Sequence, residues 1–330
     1  MSGQLDLFGA PEIAPHVTDE DRALAQSLPA PLRLGTSSWS FPGWAGIVWQ
    51  GAPREDDLAK RGLEAYAQHP LLRAVSLDRS YYGPVGDADL ARYASQLEAA
   101  ARRAPSLPAF RVVSKVWDEI TTAVFPRHPR YGARAGAPNP SFLDADRFLS
   151  EVLAPYERVF SRHAGPFVFE LTPMPRGAFG ERALCEKVAA FLARMPAGFR
   201  AAFELRNEEL LGARWLDTLA AHGASHVYTY WTAMPPIREQ LALRPLGAPF
   251  VVARLMLPRF ARYEDKKAAF APFDRLVAPQ PEMRDDVVRL VLAALEADAE
   301  DVVVLVNNKA EGSAPLTVRA IAERVADALR

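Results

Sequence analysis

The chain has 330 residues, 49% of them hydrophobic, with 39 lysines and arginines set against 40 aspartates and glutamates. That balance excludes a polycation that coats nucleic acid or an anionic membrane by charge alone, so any anion site has to be local. A single cysteine, Cys185, excludes an internal disulfide framework and a cysteine-built metal site, and no apolar run approaches the roughly 20 residues a membrane span needs.

Residues 1–30 are rich in proline, alanine and acids, which predicts a disordered N-terminal arm with a short possible helix from Asp19 to Ser27. The arm lacks the basic start and apolar run of a signal peptide, so a cytoplasmic location is expected. From Leu32 the texture changes. Eight short apolar, β-rich runs follow in order: "LRLGTS", "LRAVSL", "AFRVVSK", "PFVFEL", "FRAAFEL", "SHVYTY", "FVVARL" and "DVVVLVNN". Between them lie segments with apolar residues at helical spacing, such as "DADLARYASQLEAAARRA", "DADRFLSEVLAPYERVF" and "MRDDVVRLVLAALEAD". Strand and helix in alternation, with strands apolar almost throughout, argue a parallel sheet covered by helices, and eight such units close a TIM (β/α)8 barrel over residues 31–330. The alternative is an open doubly wound sheet, which wants a glycine-rich phosphate turn that "GTSSWSFPGW" does not supply.

Chemistry in a TIM barrel sits where strands end, and here the strand ends are polar. They carry Ser37 and Trp39, Asp78 with Tyr81 and Tyr82, Lys115, Glu170, Glu204 with Arg206, Tyr230 with Trp231, Arg254, and Asn307, Asn308 and Lys309. Charges end apolar strands when they are paired or used. Glu204, Lys115 and Glu170 are the candidate acid/base groups; Arg206 and Arg254, with Lys115, form a candidate anion clamp; Asn307 and Asn308 offer ligand-orienting amides. Asp78 adds a carboxylate, and Trp39, Tyr82 and Trp231 offer faces for sugar rings. The bland reading of the same residues is a ring of mutual ion pairs. Metal catalysis is disfavoured because His16, His69, His128, His163, His222 and His226 fall mostly in loops, the arm or before strands, and no cofactor is expected. Schiff-base chemistry rests on Lys115 alone, and a serine triad lacks a nucleophile elbow. Two long segments, "VFPRHPRYGARAGAPNP" and "LPRFARYEDKK", interleave basic and aromatic residues, as a lid or as a surface for nucleic-acid backbone and bases.

These landmarks, in their order, resemble the YecE-like family, also called the domain of unknown function 72, over roughly Leu32 to Arg330. "LRLGTSSWSFPGWAGIVW" is similar to the family's opening segment, "DRSYYGP" to its second-strand segment, and "FRVVSKVWDEIT" to its lysine strand. "AFELRN" resembles its Glu-x-Arg strand, "VVARL" its late arginine strand and "VNNKAEGSAP" its closing Asn-Asn segment. The resemblance implies a TIM barrel and attaches no activity to it. Lys115, Glu204, Arg206, Arg254 and the Asn307–Asn308 pair match the family pattern. Ser76 and Asp78 stand where Glu-x-Asn is usual, Glu170 where glutamine is, Asn207 and Lys309 where histidines are, and Leu255-Met256-Leu257 replaces the usual Leu-His-Gly.

The arm carries a second resemblance: Gln4-Leu5-Asp6-Leu7-Phe8 is similar to the pentapeptide by which bacterial replication and repair proteins dock on the DNA sliding clamp. Leu7 and Phe8 would fill an apolar pocket, Leu5 a neighbouring one, and Gln4 would fix register through its amide. The alternative is that the arm folds back onto its own barrel. Three functions therefore remain open: acid/base chemistry on a phosphate-bearing or nucleic-acid-derived ligand at clamp-associated sites, a hydrolase or isomerase of carbohydrates or small metabolites, or a non-catalytic adaptor for DNA or protein.

Overall fold

A computed structural model describes residues 12–330. The eight predicted runs form strands: β1 Leu32–Thr36, β2 Ala74–Leu77, β3 Arg111–Lys115, β4 Ala164–Glu170, β5 Ala201–Glu204, β6 Ser225–Tyr230, β7 Phe250–Leu255 and β8 Asp301–Val306. They pair in parallel in chain order, and β8 closes on β1, making the expected TIM barrel.

Alternation along the strands separates two apolar regions. One set of residues, Ala74, Val113, Val168, Ala202, Val227, Val252 and Val303, fills the barrel interior. The other, including Val75, Val112, Phe169, Phe203, Tyr228, Val251 and Val304, meets the surrounding helices. Both faces are buried, which is why the strands read as nearly continuous apolar runs. Helix Asp87–Arg103 buries Leu90, Tyr93, Ala94, Leu97 and Ala100, a stripe at helical spacing. Around Pro155 the predicted helix does not hold a regular geometry: a wide π-type turn over Phe148–Leu153 precedes Ala154–Val159, because proline has no N–H for the helical ladder. β1 crosses β2 closely enough that a side chain on Gly35 would place its Cβ 1.9 Å from the Ala74 carbonyl oxygen, so only glycine fits. Among the described residues, no helix is long and apolar enough to cross a membrane.

The expectation of a disordered arm does not hold for residues 12–30. His16 donates its backbone N–H to Val48 and Gln50 donates to Ala14, at 2.8 and 2.9 Å, tying this segment to the loop after β1. Helix Asp19–Gln26 starts on a capping box in which Thr18 and Asp21 exchange hydrogen bonds. Asp21 is buried, where it meets Arg319 and lies 3.8 Å from the His69 imidazole. Composition missed this because Ile13, Leu24 and Leu28, sparse in the sequence, all reach the core from one side. Residues 4–8, the clamp-like pentapeptide, lie outside the described residues.

His226 is enclosed between Trp215, whose indole N–H points to Nδ1 at 3.4 Å, and the Gln240 side-chain oxygen 3.2 Å from Nε2. That pairing suits the neutral ring, and burial lowers its pKa to about 4. A lowered folded-state pKa means the unfolded chain binds the proton first as pH falls through 6.5. The stability held above that pH is then lost progressively toward pH 4, on the order of 3 kcal/mol for a shift of this size. In urea denaturation at pH 7 and pH 4.5, His226→Gln is expected to lose less stability on acidification than wild type; an equal loss in both proteins refutes the assignment.

Candidate functional site

The mouth of the barrel is built by carrying the strand alternation one step further. Two residues beyond the apolar interior layer the strands again point inward, and the residues there are Ser76, Lys115, Glu170, Glu204, Thr229 and Arg254, with apolar Leu305 on β8 beside Arg254. Register sets Glu170 beside Glu204 and Thr229 beside Arg254. The barrel plug thus changes from valine and alanine to a charged layer within a single strand repeat.

At the floor of this layer lies Glu204, with no exposed surface. One of its carboxylate oxygens accepts from the Thr229 hydroxyl at 3.0 Å and meets Arg206 Nη2 at 2.6 Å; the other is hydrogen-bonded by Arg254 Nη1. Arg254 is also wholly buried, and its Nη1 reaches Glu170 Oε2 at 2.8 Å. Arg206 Nη2 contacts that same Glu170 oxygen at 2.8 Å and Lys115 Nζ does so at 3.1 Å. The Arg206 guanidinium lies 3.8 Å from the centre of the Trp231 ring, and the Lys115 ammonium 3.9 Å from that of Tyr81. Asp78 accepts from the Ser76 hydroxyl at 2.6 Å and lies 3.6 Å from Arg254 Nη2.

The electrostatics follow from this packing. Burial disfavours the charged form of Glu170, but Arg206, Lys115 and Arg254 outweigh burial and hold its carboxyl well below the ordinary carboxylate value. Burial likewise opposes the Arg254 charge, and Glu204, Asp78 and Glu170 overcome it, so its pKa is raised. Burial, then the Glu170 charge, pushes the Tyr81 phenol up. Access grades outward from the floor: the Lys115 side chain is 11% exposed, Glu170 16% and Asp78 34%.

Several sequence expectations change here. Glu204 is not a solvent-facing acid/base, since both oxygens are committed to arginines and Thr229 beneath the mouth. Arg206 and Arg254 are not a free anion clamp, because they neutralise Glu170 and Glu204; what they retain are N–H groups without a hydrogen-bond partner, on Arg206 Nη1 and Arg254 Nε and Nη2. The two glutamates share the same guanidinium nitrogens, so they do not bracket a glycosidic bond in the way a pair of glycosidase carboxylates does. Trp39 is buried with its indole N–H on the Leu58 carbonyl at 3.0 Å and its ring edge-on to Tyr93, which removes it as a sugar platform. Asn308 is buried too, its side-chain oxygen accepting from Trp44 Nε1 and the Ala314 N–H. Asn307 stays partly exposed and caps the turn at Lys309, accepting its N–H at 3.0 Å. Lys115, Glu170, Asp78, Trp231 and Tyr82 do gather at the mouth or its rim. Ser76 and Thr229 were missed as site residues, though counting two positions on from each apolar inward residue finds them. Among the described residues, no group of three or more His, Cys, Asp or Glu side chains is placed to hold a metal ion.

Residues 33–330 match the family described as protein of unknown function DUF72. The chain belongs to the DUF72 family. Two solved DUF72 structures share the fold with this DUF72 protein. One, from Enterococcus faecalis V583, has 17% identity and a TM-score of 0.56 over 90% of this chain and 95% of its own. The other, from Thermotoga maritima MSB8, has 17% identity and a TM-score of 0.54 over 90% and 98%. No curated protein was found to match the chain in sequence.

Removing the Glu204 carboxylate leaves two buried guanidiniums short of a counter-charge. Glu204→Ala is expected to cost about 3–5 kcal/mol of stability by chemical denaturation, whereas Asp78→Asn, at the exposed edge, costs less than about 1 kcal/mol. Equal effects of the two variants would contradict the layered arrangement.

Proposed function

We propose that the mouth of this DUF72 barrel is an active site that takes a nucleic-acid-derived, phosphate-bearing ligand and acts on it by acid–base chemistry, with Lys115 as the proton-transferring group and Glu170 as its fixed counter-ion. Glu170, kept ionised, holds the Lys115 ammonium at the open edge of the charged layer, where it can donate a proton to a departing oxygen. The buried Arg206 and Arg254 position that pair from beneath, through the Glu170 carboxylate.

The observation that carries this reading is the rim. Phe260 is 85% exposed, and Tyr82 and Tyr263 are exposed as well. Each ring has a cation beside it: Arg130 is 4.7 Å from the centre of Tyr82, Arg259 5.2 Å from Phe260, and Lys309 Nζ 4.0 Å from Tyr263. Phe260 has a φ of 62°, in the left-handed region that a bulky residue enters only at a cost, and its N–H is tied to the Thr232 carbonyl at 3.2 Å. Segments 124–140 and 257–267 contribute Arg127, Arg130, Arg134, Arg259, Arg262, Lys266 and Lys267 against two acidic residues, Glu264 and Asp265. Aromatic faces stack on unpaired bases while neighbouring cations take the phosphates, the pairing that single-stranded nucleic acid requires. The same reading gives the Gln4–Phe8 pentapeptide its role, as the segment that docks on a bacterial sliding clamp and brings the barrel to replication or repair sites.

Two measurements test it. Binding of a fluorescein-labelled single-stranded oligonucleotide, followed by anisotropy, is expected to weaken about tenfold or more in the Tyr82→Ala/Phe260→Ala double variant and to fall with added salt; no binding by wild type overturns the ligand assignment. Separately, Phe8→Ala should abolish retention on immobilised purified sliding clamp, and equal retention of variant and wild type removes the clamp from the reading.

A further inference from the structure

At the opposite end of the barrel, a cavity of about 620 Å³ lies between the N-terminal segment and the loops that enter β2 and β3. Its walls are mixed, with Val17, Leu28, Leu32, Leu34, Leu71 and Leu107 on the apolar side and Gln26, Gln50, Gln68 and Arg73 among the polar residues. This volume falls within the range of small-molecule sites.

Arg73 is what makes this cavity more than a gap in packing. Three arginines are buried among the described residues, Arg73, Arg206 and Arg254. Arg206 and Arg254 meet carboxylates, while among the described residues Arg73 meets only the backbone carbonyls of Ala67 and Pro108 and the face of Phe110 at 5.4 Å. Among the described residues its Nε–H has no hydrogen-bond partner. The larger charge effect on it is of like sign, from Arg33, whose own carboxylate partner is Asp301, with Tyr66 opposing it more weakly. Burial, and then Arg33, lowers its pKa to about 10, the behaviour of a guanidinium deprived of a counter-ion. The other cations at the cavity are already engaged, Arg22 with Asp19 and Arg103 with Glu12 and Glu64. A buried cation with an unpartnered N–H, on the wall of a cavity of ligand size with an apolar side, is left costly unless an anion joins it.

We propose that this cavity is a second binding site, for a small amphipathic carboxylate whose head group pairs with Arg73 and whose apolar body lies against Leu28, Leu34 and Leu71. An apolar body without charge would leave Arg73 as it is, and a phosphate without an apolar body would leave the leucine walls wet. The site is separate from the mouth and does not depend on the reaction proposed there.

Octanoate and octanol separate the two requirements, because they differ only in the head group. Isothermal titration of the full-length protein is expected to show octanoate binding at one site, with octanol at least about tenfold weaker, a factor corresponding to about 1.4 kcal/mol. Arg73→Met should weaken octanoate to the level of octanol while leaving octanol unchanged. Ala25→Trp, which fills the cavity without touching the cation, should abolish both and guards against a folding defect in the arginine variant. Octanol binding as tightly as octanoate, or octanoate binding unaltered by Arg73→Met, overturns the proposal.

Discussion

Everything at the barrel mouth depends on placing Arg254, a guanidinium with no exposed surface, directly above a layer of valines and alanines. A charge so placed is tolerable only when carboxylates reach it with good geometry. Glu204 comes from β5 and Glu170 from β4, so the charge on β7 is neutralised by strands on the far side of β6. That contact exists only in a closed barrel in this register, and it ties the ionisation states of the layer to the correct strand order. Lys115 then faces a Glu170 that is obliged to stay ionised, which gives the one accessible ammonium of the layer a permanent partner. Three cations, Lys115, Arg206 and Arg254, meet three carboxylates, Asp78, Glu170 and Glu204, so the layer is neutral and its selectivity for ligands has to come from the rim.

The two ends of the barrel handle buried arginine in opposite ways. At the mouth each guanidinium meets at least two carboxylates, although Arg206 Nη1 and Arg254 Nε and Nη2 keep N–H groups without a hydrogen-bond partner among the described residues. At the bottom Arg73 meets no carboxylate among them, beside a cavity. The N-terminal segment contributes to that difference: the capped helix Asp19–Gln26 roofs the bottom and spends its own buried acid, Asp21, on Arg319 and the neighbourhood of His69 rather than on Arg73.

Much of the barrel was legible because both faces of its strands are buried, so β1–β8 stand out as apolar runs punctuated by helices with a clear stripe. Lys115, Glu170, Glu204 and Arg254 were legible for a related reason, since a charge at the end of such a run is conspicuous. Their roles were not. Whether Glu204 is a reactive group or the floor of an ion network depends on who stands opposite, and Thr229, Arg206 and Arg254 come from residues 2 to 50 positions away in sequence. Trp39 and Asn308 show the same limit from the other side. Their types suit ligand contact, but their polar atoms are spent on Leu58, Trp44 and Ala314. The helix from Asp19 was read, but the docking of residues 12–30 was illegible because composition averages over a segment, whereas docking needs only a few apolar residues and one satisfied carboxylate.

By itself the sequence determined the eight-fold alternation, the positions of charge along each strand and the neutral overall balance, because these follow from local periodicity and composition. Tertiary structure alone decided which charges neutralise one another, which arginine is left without a counter-ion, and which aromatics reach solvent. Those outcomes are set by distances between strands and loops far apart in the chain, and Coulomb energy and desolvation respond to such distances and not to spacing along the backbone.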